Sequence, residues 1–238
     1  MRKMKGSGNY LKNQVRKNLA KSLLCLLLFF LIIIASGLEA LYILSLGILP
    51  EAGLLISLLP LVGFFYYLHK YHVYIGGWNG EKQVTNLLSS KLNDDYILLN
   101  DLYLLNGGGD IDHLVFAPGG IFVLETKNWS GVINCNGDLW QRPGKNGFKG
   151  SPSRQIKRNV ATIKRIIDSS WALRQLGINV EGIVVFTNKY ATLHLNDPTV
   201  QILKLPQLPE FITARGGSRL HSKEQLETVA KEILKQKR

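Results

Sequence analysis

Polar and apolar positions are spread unevenly along the chain. Two stretches carry no charge at all, Ser22–Leu38 and Ala52–Leu68, each 17 residues long and dense in Leu, Ile and Phe. That length is at the low end of the roughly 17–25 residues a helix needs to cross a bilayer. Neither stretch has a polar face to show to water, so a buried hairpin in a soluble core explains them poorly. The pattern predicts two transmembrane helices within residues 22–69. A short loop around Gly47–Glu51 joins them, and Glu39 lies near the outer end of the first.

Beyond the second stretch the pattern changes. His69–Trp78 brings tyrosines and Lys70, residues suited to the headgroup region, and Gly76-Gly77 reads as a hinge. A helix is predicted from Asn79–Gly80, with Val84, Leu87, Leu88 and Leu92 on one side. Tyr96–Leu105 reads as a strand, Asn106–Gly109 as a turn, and Asp110–Ala117 as a second strand. Pro118–Gly120 makes a tight turn into a third strand, Ile121–Lys127, and Gly131–Asn134 is expected to continue the same sheet. A long helix is predicted over Pro152–Leu176. Its apolar stripe is Ile156, Val160, Ile163, Ile167 and Trp171, and Gly177 is placed to end it. Val180–Thr187 and Val200–Leu205 are further strands, and a short helix follows Pro206. Ser222 caps a last amphipathic helix to Lys237. This order predicts an α/β domain with a mixed sheet flanked by helices. The expected organisation is a basic tail over 1–21, the membrane hairpin over 22–69, a linker over 70–79 and one domain over 80–238.

Charge sets the orientation. The first 21 residues hold seven Lys or Arg and no acid, whereas the loop between the apolar stretches has Glu39 and Glu51 and no base. Positive charge stays on the cytoplasmic side, so the N-terminus and, after two crossings, the soluble domain are expected in the cytoplasm. A basic start before an apolar run, with small residues at Ala35–Gly37, also has the outline of a signal peptide. Apolar character continuing to Leu68 favours a retained anchor. Cys25 lies in the first stretch and Cys135 in the soluble part, so neither a disulfide nor a cysteine metal site is expected.

Two predicted strands carry pairs of ionisable residues. Asp110 and Asp112 alternate with Ile111, and Glu125 and Lys127 flank Thr126, so each pair shares one face of its strand. A hairpin through Pro118–Gly120 can bring Asp112 to Glu125 and Lys127. Charge at the end of the apolar run Ile121–Leu124 is costly unless paired, and a divalent cation on Asp112, Glu125 and the Thr126 carbonyl would pair it. A hard cation on oxygen ligands suits phosphodiester hydrolysis, with Lys127 orienting water or stabilising phosphate charge. An ordinary Glu–Lys ion pair at a sheet end has the same outline.

Four separated pieces occur together: Gly80-Glu81, Ile111-Asp112-His113, Gly120–Asn128 with its Glu125-Thr126-Lys127, and Ser151–Gln155. In these pieces the chain resembles the NERD (nuclease-related) domain, a branch of the PD-(D/E)xK nuclease-like superfamily, with Ile111 where that superfamily nominally has Pro. The resemblance implies a restriction-endonuclease-like mixed sheet reaching to about Thr187, with Mg²⁺ or Mn²⁺ as cofactor. It implies a catalytic set of Asp112, Glu125 and Lys127, with Glu81 an accessory acid near the metal and Gln155 a polar partner from the long helix. It also leaves open a catalytically silent domain that binds nucleic acid or a protein partner. His113 is expected to face away into the core, Asp110 to sit in a turn, Trp129 to cover the core, and Asp101 and Asp168 to be surface charges. Gly107–Gly109 lacks a following helix and is not a phosphate-binding loop.

The chain's formal charge is +12, and from residue 70 onward 22 Lys or Arg stand against 15 Asp or Glu, a net of +7. Arg142 to Arg165 contains eight bases and no acid. On the long helix Lys157 and Lys164, like Arg158 and Arg165, repeat at seven residues, and with Arg154 they form a stripe suited to a phosphate backbone, expected to be that of DNA. Attraction to anionic lipid, worth about 1 kcal/mol per basic residue near the surface, is the competing use.

Overall fold

The computed structural model describes residues 1–4, 10–45, 52–104, 110–144, 150–217 and 220–236; the side chains of 39–45 and 52–57 are not included. The predicted Gly47–Glu51 loop, the Asn106–Gly109 turn and the Glu39 side chain lie outside these residues. The chain divides into two compact units, Tyr10–Trp78 on its own, and Met1–Asn9 together with Asn79–Arg238.

The first unit is built from helix α1 (Tyr10–Ser45) and the leading part of helix α2 (Ala52–Lys91). The two run antiparallel. Lys21 Nζ lies 5.0 Å from the centre of the Tyr67 ring, and a Cβ on Gly63 or Gly77 would come within 3.1 Å of Cys25 Sγ or 3.3 Å of Leu11 Cδ1. Outward from this seam, Leu24, Leu27, Leu31, Ile34, Leu59 and Val62 are exposed. Among the described residues one helix segment, Tyr10–Leu38, is long and apolar enough to cross a membrane. Two points correct the sequence expectation. The helix before the sheet does not begin at Asn79, and Gly76-Gly77 is not a break, because α2 runs unbroken through both. Two glycines in a helix cost only about 1 kcal/mol each, less than a long helix recovers elsewhere.

The second unit is a mixed α/β domain. Its main sheet has the order β1-β2-β3-β4-β7-β9 and is made of Arg2–Met4, Ile97–Tyr103, Asp110–Ala117, Gly120–Lys127, Val180–Phe186 and Gln201–Lys204. β2, β3 and β4 are antiparallel, whereas β1 pairs with β2, and β7 with both β4 and β9, in parallel. Strands β3, β4 and β7 read almost continuously apolar because both sheet faces are covered. On one face the core of Ile111, Leu114, Phe116, Val123 and Val184 is closed by Ile156 and Ile163 of α3 (Pro152–Ser169) and Val229 and Ile233 of α6 (Lys223–Lys235). On the other, Leu98, Val115, Leu124, Ile183 and Val185 pack with Val84 and Leu88 of α2 and Ile212 of α5 (Leu208–Gly216).

Gly131–Asn136 (β5) does not continue the main sheet as expected. It joins Leu139–Gln141 (β6) and Ala191–Asn196 (β8) in a separate three-stranded sheet ordered β6-β5-β8. The predicted long helix also ends earlier, at Ser169, and a short turn of helix, α4 (Trp171–Arg174), follows. Trp171 is 75% exposed, so it is not the last member of the apolar stripe. Gly177 then takes the left-handed φ of +60° that lets the chain turn toward β7. Ser222 caps α6 with a reciprocal Gln225 contact, as its sequence position implies.

Candidate functional site

Hairpin β3–β4 builds the site. His113 pairs with Leu124 at the last ladder position, and just beyond it Oδ2 of Asp112 accepts the Thr126 backbone N–H at 2.6 Å. That bond fixes Asp112 against the strand carrying Glu125 and Lys127. Lys127 Nζ donates to Glu125 Oε1 at 2.5 Å and lies 3.4 Å from Gln155 Oε1.

Gln155 is delivered by the start of α3, which several bonds hold in place. The Ser151 side chain accepts the Arg154 N–H at 3.2 Å and donates to the Asp138 carbonyl at 2.7 Å. Pro152 occupies the first turn, where its missing donor costs nothing. The buried Trp140 indole donates to Ser153 at 2.9 Å, and Asn159 donates to the Asp110 carbonyl at 3.1 Å. The smaller sheet is therefore bonded to the helix that presents Gln155.

Glu81 comes from α2, and Gly80 explains how it gets there. A Cβ at Gly80 would stand 2.9 Å from Thr187 Oγ1, closer than real side chains come, and a tight 3.1 Å from Asn128 Cβ. Only glycine lets α2 lie this near the end of β4, which sets Glu81 within the field of Asp112 and Glu125.

Burial dominates the charge state of the acids Glu81, Asp101, Asp112 and Glu125, each raised above the ordinary carboxylate range. Burial first, then the charges of Asp112 and Asp101 and a hydrogen bond with Asp101, push Glu81 up to about 10. Burial and the Glu125 charge raise Asp112 well above the usual carboxylate range, against the pull of Lys127 and the Thr126 N–H. Glu125 is raised by burial, with Lys127 opposing. Glu125 is 1% exposed, and its Oε2 has no protein partner. A buried oxygen without a donor is rare, and it suits a group that is completed by a cation. Asp112, Glu125 and Glu81 offer oxygen donors of the kind a hard divalent ion takes. As they stand, no group of three or more acidic, histidine or cysteine side chains among the described residues is arranged to hold a metal ion.

Other predicted residues fall as follows. His113 is buried on the opposite face, its Nδ1 2.8 Å from Asn100 Oδ1, and burial lowers it to about 3, so it is a neutral core residue. Trp129 covers the core beside Trp140 and Phe186. Arg154, Lys157, Arg158, Lys164 and Arg165 are all exposed on α3. Lys157 is held by both oxygens of Asp138, at 2.9 and 3.0 Å, while the Arg158 charge reaches Glu125.

Two contributors were not foreseen. Asp101, expected as a surface charge, is part of the acidic group. Arg142 stacks its guanidinium 5.1 Å from the centre of the Trp129 ring, and Lys127 Nζ lies 5.6 Å from the same ring centre. One aromatic residue thereby brackets two cations beside the acids.

The fold and site define a mixed α/β domain that gathers carboxylates and a lysine at the end of one hairpin. Residues 76–187 match the family profile of the nuclease-related domain, NERD, so the chain carries a NERD domain over that stretch. Over 60 residues the chain is 42% identical to the uncharacterized protein pXO1-01 of Bacillus anthracis, a stretch covering 24% of this chain and 28% of that protein. The chain thus spans well under two thirds of that relative's length. No solved structure matches it.

Proposed function

We propose that the protein is a membrane-anchored, metal-dependent nuclease that hydrolyses phosphodiester bonds, in DNA before RNA, within a restriction-endonuclease-like domain of the PD-(D/E)xK superfamily. The observation that carries this reading is the convergence of Asp112, Glu125, Lys127 and Gln155 from β3, β4 and α3 within a NERD domain. When bound, Mg²⁺ or Mn²⁺ supplies the charge that neutralises phosphate and makes water acidic. Asp112, Glu125 and the Thr126 carbonyl would hold it, with Glu81 beside them. Lys127 would donate to the scissile phosphate or orient the attacking water. Gln155 keeps the ammonium on the substrate side. Arg154, Arg158, Lys164 and Arg165 track the phosphate backbone, and Lys157 joins them where it leaves Asp138.

Anchoring by two crossings, with both ends in the cytoplasm, has separate support. Strand β1, just ahead of α1, is hydrogen-bonded to β2 of the domain that follows α2. If α1 crosses a bilayer, this pairing supports a second crossing that returns the chain to the side on which it starts. The antiparallel seam of α1 and α2 supplies the return path.

The test is plasmid and RNA cleavage by the full chain in detergent micelles, with Mg²⁺, Mn²⁺ or EDTA, beside Lys127→Ala and Asp112→Asn. Cutting that needs metal and is lost in both folded variants is expected. Salt-dependent DNA binding without any cutting points instead to a silent binding domain, a reading favoured by the short Lys127–Glu125 pair, which partners the lysine with one oxygen of Glu125 without a metal.

A further inference from the structure

Arg142 is the first residue beyond β6, and its neighbours fix where its side chain can go. Trp140, two residues earlier, is buried and donates its indole N–H to Ser153, so the end of β6 is tied to the helix that presents Gln155. From there the Arg142 side chain reaches the connection between β4 and β5. Its Nη2 donates to the Ser130 carbonyl at 3.3 Å, and its guanidinium carbon lies 5.1 Å from the centre of the Trp129 ring. That ring is itself held, because Trp140 and Phe186 meet it in T-shaped contacts with centroids 6.4 and 5.9 Å away. Arg142 therefore rests against a fixed aromatic plate.

The guanidinium is poorly matched to the protein around it. Its Nε is shut off from solvent without a hydrogen-bond partner, and among the described residues no carboxylate pairs with it. Removing a cation from water without an anion costs free energy, and an uncharged side chain would cover the ring without that cost. A cation in this condition is completed by an anion arriving from outside. The place also says which anion. Lys127 Nζ lies 5.6 Å from the centre of the same ring, so the guanidinium stands beside the lysine of the hairpin site. Of five N–H donors in a planar fork, Ser130 engages one nitrogen, and such a fork matches phosphate oxygens.

We propose that Arg142 is a phosphate-binding residue at the edge of the Lys127 site. Held by Trp129 and the Ser130 carbonyl, its guanidinium takes a backbone phosphate of the nucleic acid. The contact lies off the basic stripe of α3 and is placed by the smaller sheet, which gives that sheet a part in holding substrate. The inference rests on the nucleic-acid reading above and does not require the metal.

The test uses full-length wild type, Arg142→Gln and Arg142→Lys in detergent micelles with EDTA. Binding of a short fluorescein-labelled DNA duplex is followed by anisotropy across a salt series, and folding by a thermal melt. Losing one phosphate contact lowers the salt slope by about 0.9, so Arg142→Gln is expected to show that drop and to bind about 10-fold more weakly at 0.1 M salt. Arg142→Lys keeps the charge and the slope but not the planar fork, and is expected to bind about three-fold or more below wild type. A folded Gln variant with the slope and affinity of wild type overturns the proposal and leaves Arg142 a brace for Trp129. Should the Gln variant lose its cooperative melt, the Lys variant decides, and wild-type affinity there overturns the proposal equally. Wild type that binds no DNA at low salt defeats the nucleic-acid reading and this inference with it. Wild type that binds but never cuts defeats only the nuclease reading, and the Arg142 variants still decide this one.

Discussion

The backbone N–H of Thr126 donates to Oδ2 of Asp112 at 2.6 Å, so the strand that offers Glu125 and Lys127 also fixes the acid facing them. Asp112→Asn keeps an oxygen that can accept this bond, but it loses the charge a cation requires. Without metal the variant is expected to melt higher than wild type, because a repelled, buried charge is gone. With Mn²⁺ at one hundred times its dissociation constant, wild type gains about 2.7 kcal/mol and the variant gains nothing. Thermal melts with Mn²⁺ and with EDTA check both halves, and an equal Mn²⁺ shift in the two proteins defeats the assignment.

Glu81 makes the metal-free domain sensitive to base. Its folded carboxyl, at about 10, lies above the ordinary 4.5, so the folded state keeps a proton that the unfolded state releases. This contribution is intact below pH 4.5 and is lost progressively as pH rises toward 10. By linkage the loss reaches at most about 3 kcal/mol at pH 7. Glu81→Gln is therefore expected to stabilise the protein in EDTA at pH 8 and to change it little at pH 4.5. Denaturant titrations at the two pH values read the difference; a pH-independent effect of the substitution contradicts it.

Hairpin β3–β4 was legible in the sequence because two apolar runs flank a Pro-Gly-Gly turn and end in charges with period two, and the site rides on that hairpin. Asp101 was not legible. Its residue type is ordinary for a surface, and only the backbone shows that it turns toward Glu81. The outer strands were hidden for different reasons. β1 has three residues, too few for a period, and β8 is mostly exposed beyond Ala191, so its alternation carries little apolar signal. The continuity of α2 through Gly76-Gly77 was hidden because glycine pairs ordinarily mark breaks, and packing against Leu11 at Gly77 overrides that preference.

Gly80 has one job, closeness, and a methyl group tests it. Gly80→Ala puts a Cβ 2.9 Å from Thr187 Oγ1 and 3.1 Å from Asn128 Cβ. Helix propensity alone would favour Ala by about 1 kcal/mol. Overpacking of this kind costs about 1–3 kcal/mol, so a net loss of stability is expected, along with weaker Mn²⁺ binding as Glu81 is pushed from the acids. A variant that is more stable and binds metal normally means that α2 has room to spare.

The basic stripe on α3 is not uniform, which allows a graded test. Lys157 is already bonded to Asp138, whereas Lys164 and Arg165 are exposed at the far end of α3. If the stripe follows a phosphate backbone, Lys164→Ala and Arg165→Ala each reduce the salt slope of DNA binding by about 0.9, and Lys157→Ala reduces it less. DNA affinity is measured across a salt series, with vesicles containing anionic lipid in parallel. Variants that leave every DNA slope unchanged but weaken vesicle binding assign the stripe to lipid.

Strand β1 ties the residues ahead of α1 to the domain behind α2. The Arg2 N–H donates to the Tyr96 carbonyl at 3.0 Å, the Arg2 guanidinium meets Glu227 of α6, and Met4 packs on the core. These contacts cannot form across a bilayer, whose apolar interior is about 30 Å thick. In intact membranes, full-length protein with Cys25 and Cys135 replaced by Ser and with Arg2→Cys and Glu227→Cys is therefore expected to be joined by a short bismaleimide. Neither single-cysteine variant gives that product. Arg2→Pro deletes the bond to Tyr96, and a faster backbone hydrogen exchange over residues 96–100 is the expected consequence, since the edge of β2 then faces water. Membranes in which a cysteine at position 2 reacts only from the side opposite the domain give no crosslink, and they leave an odd number of crossings in place of the hairpin.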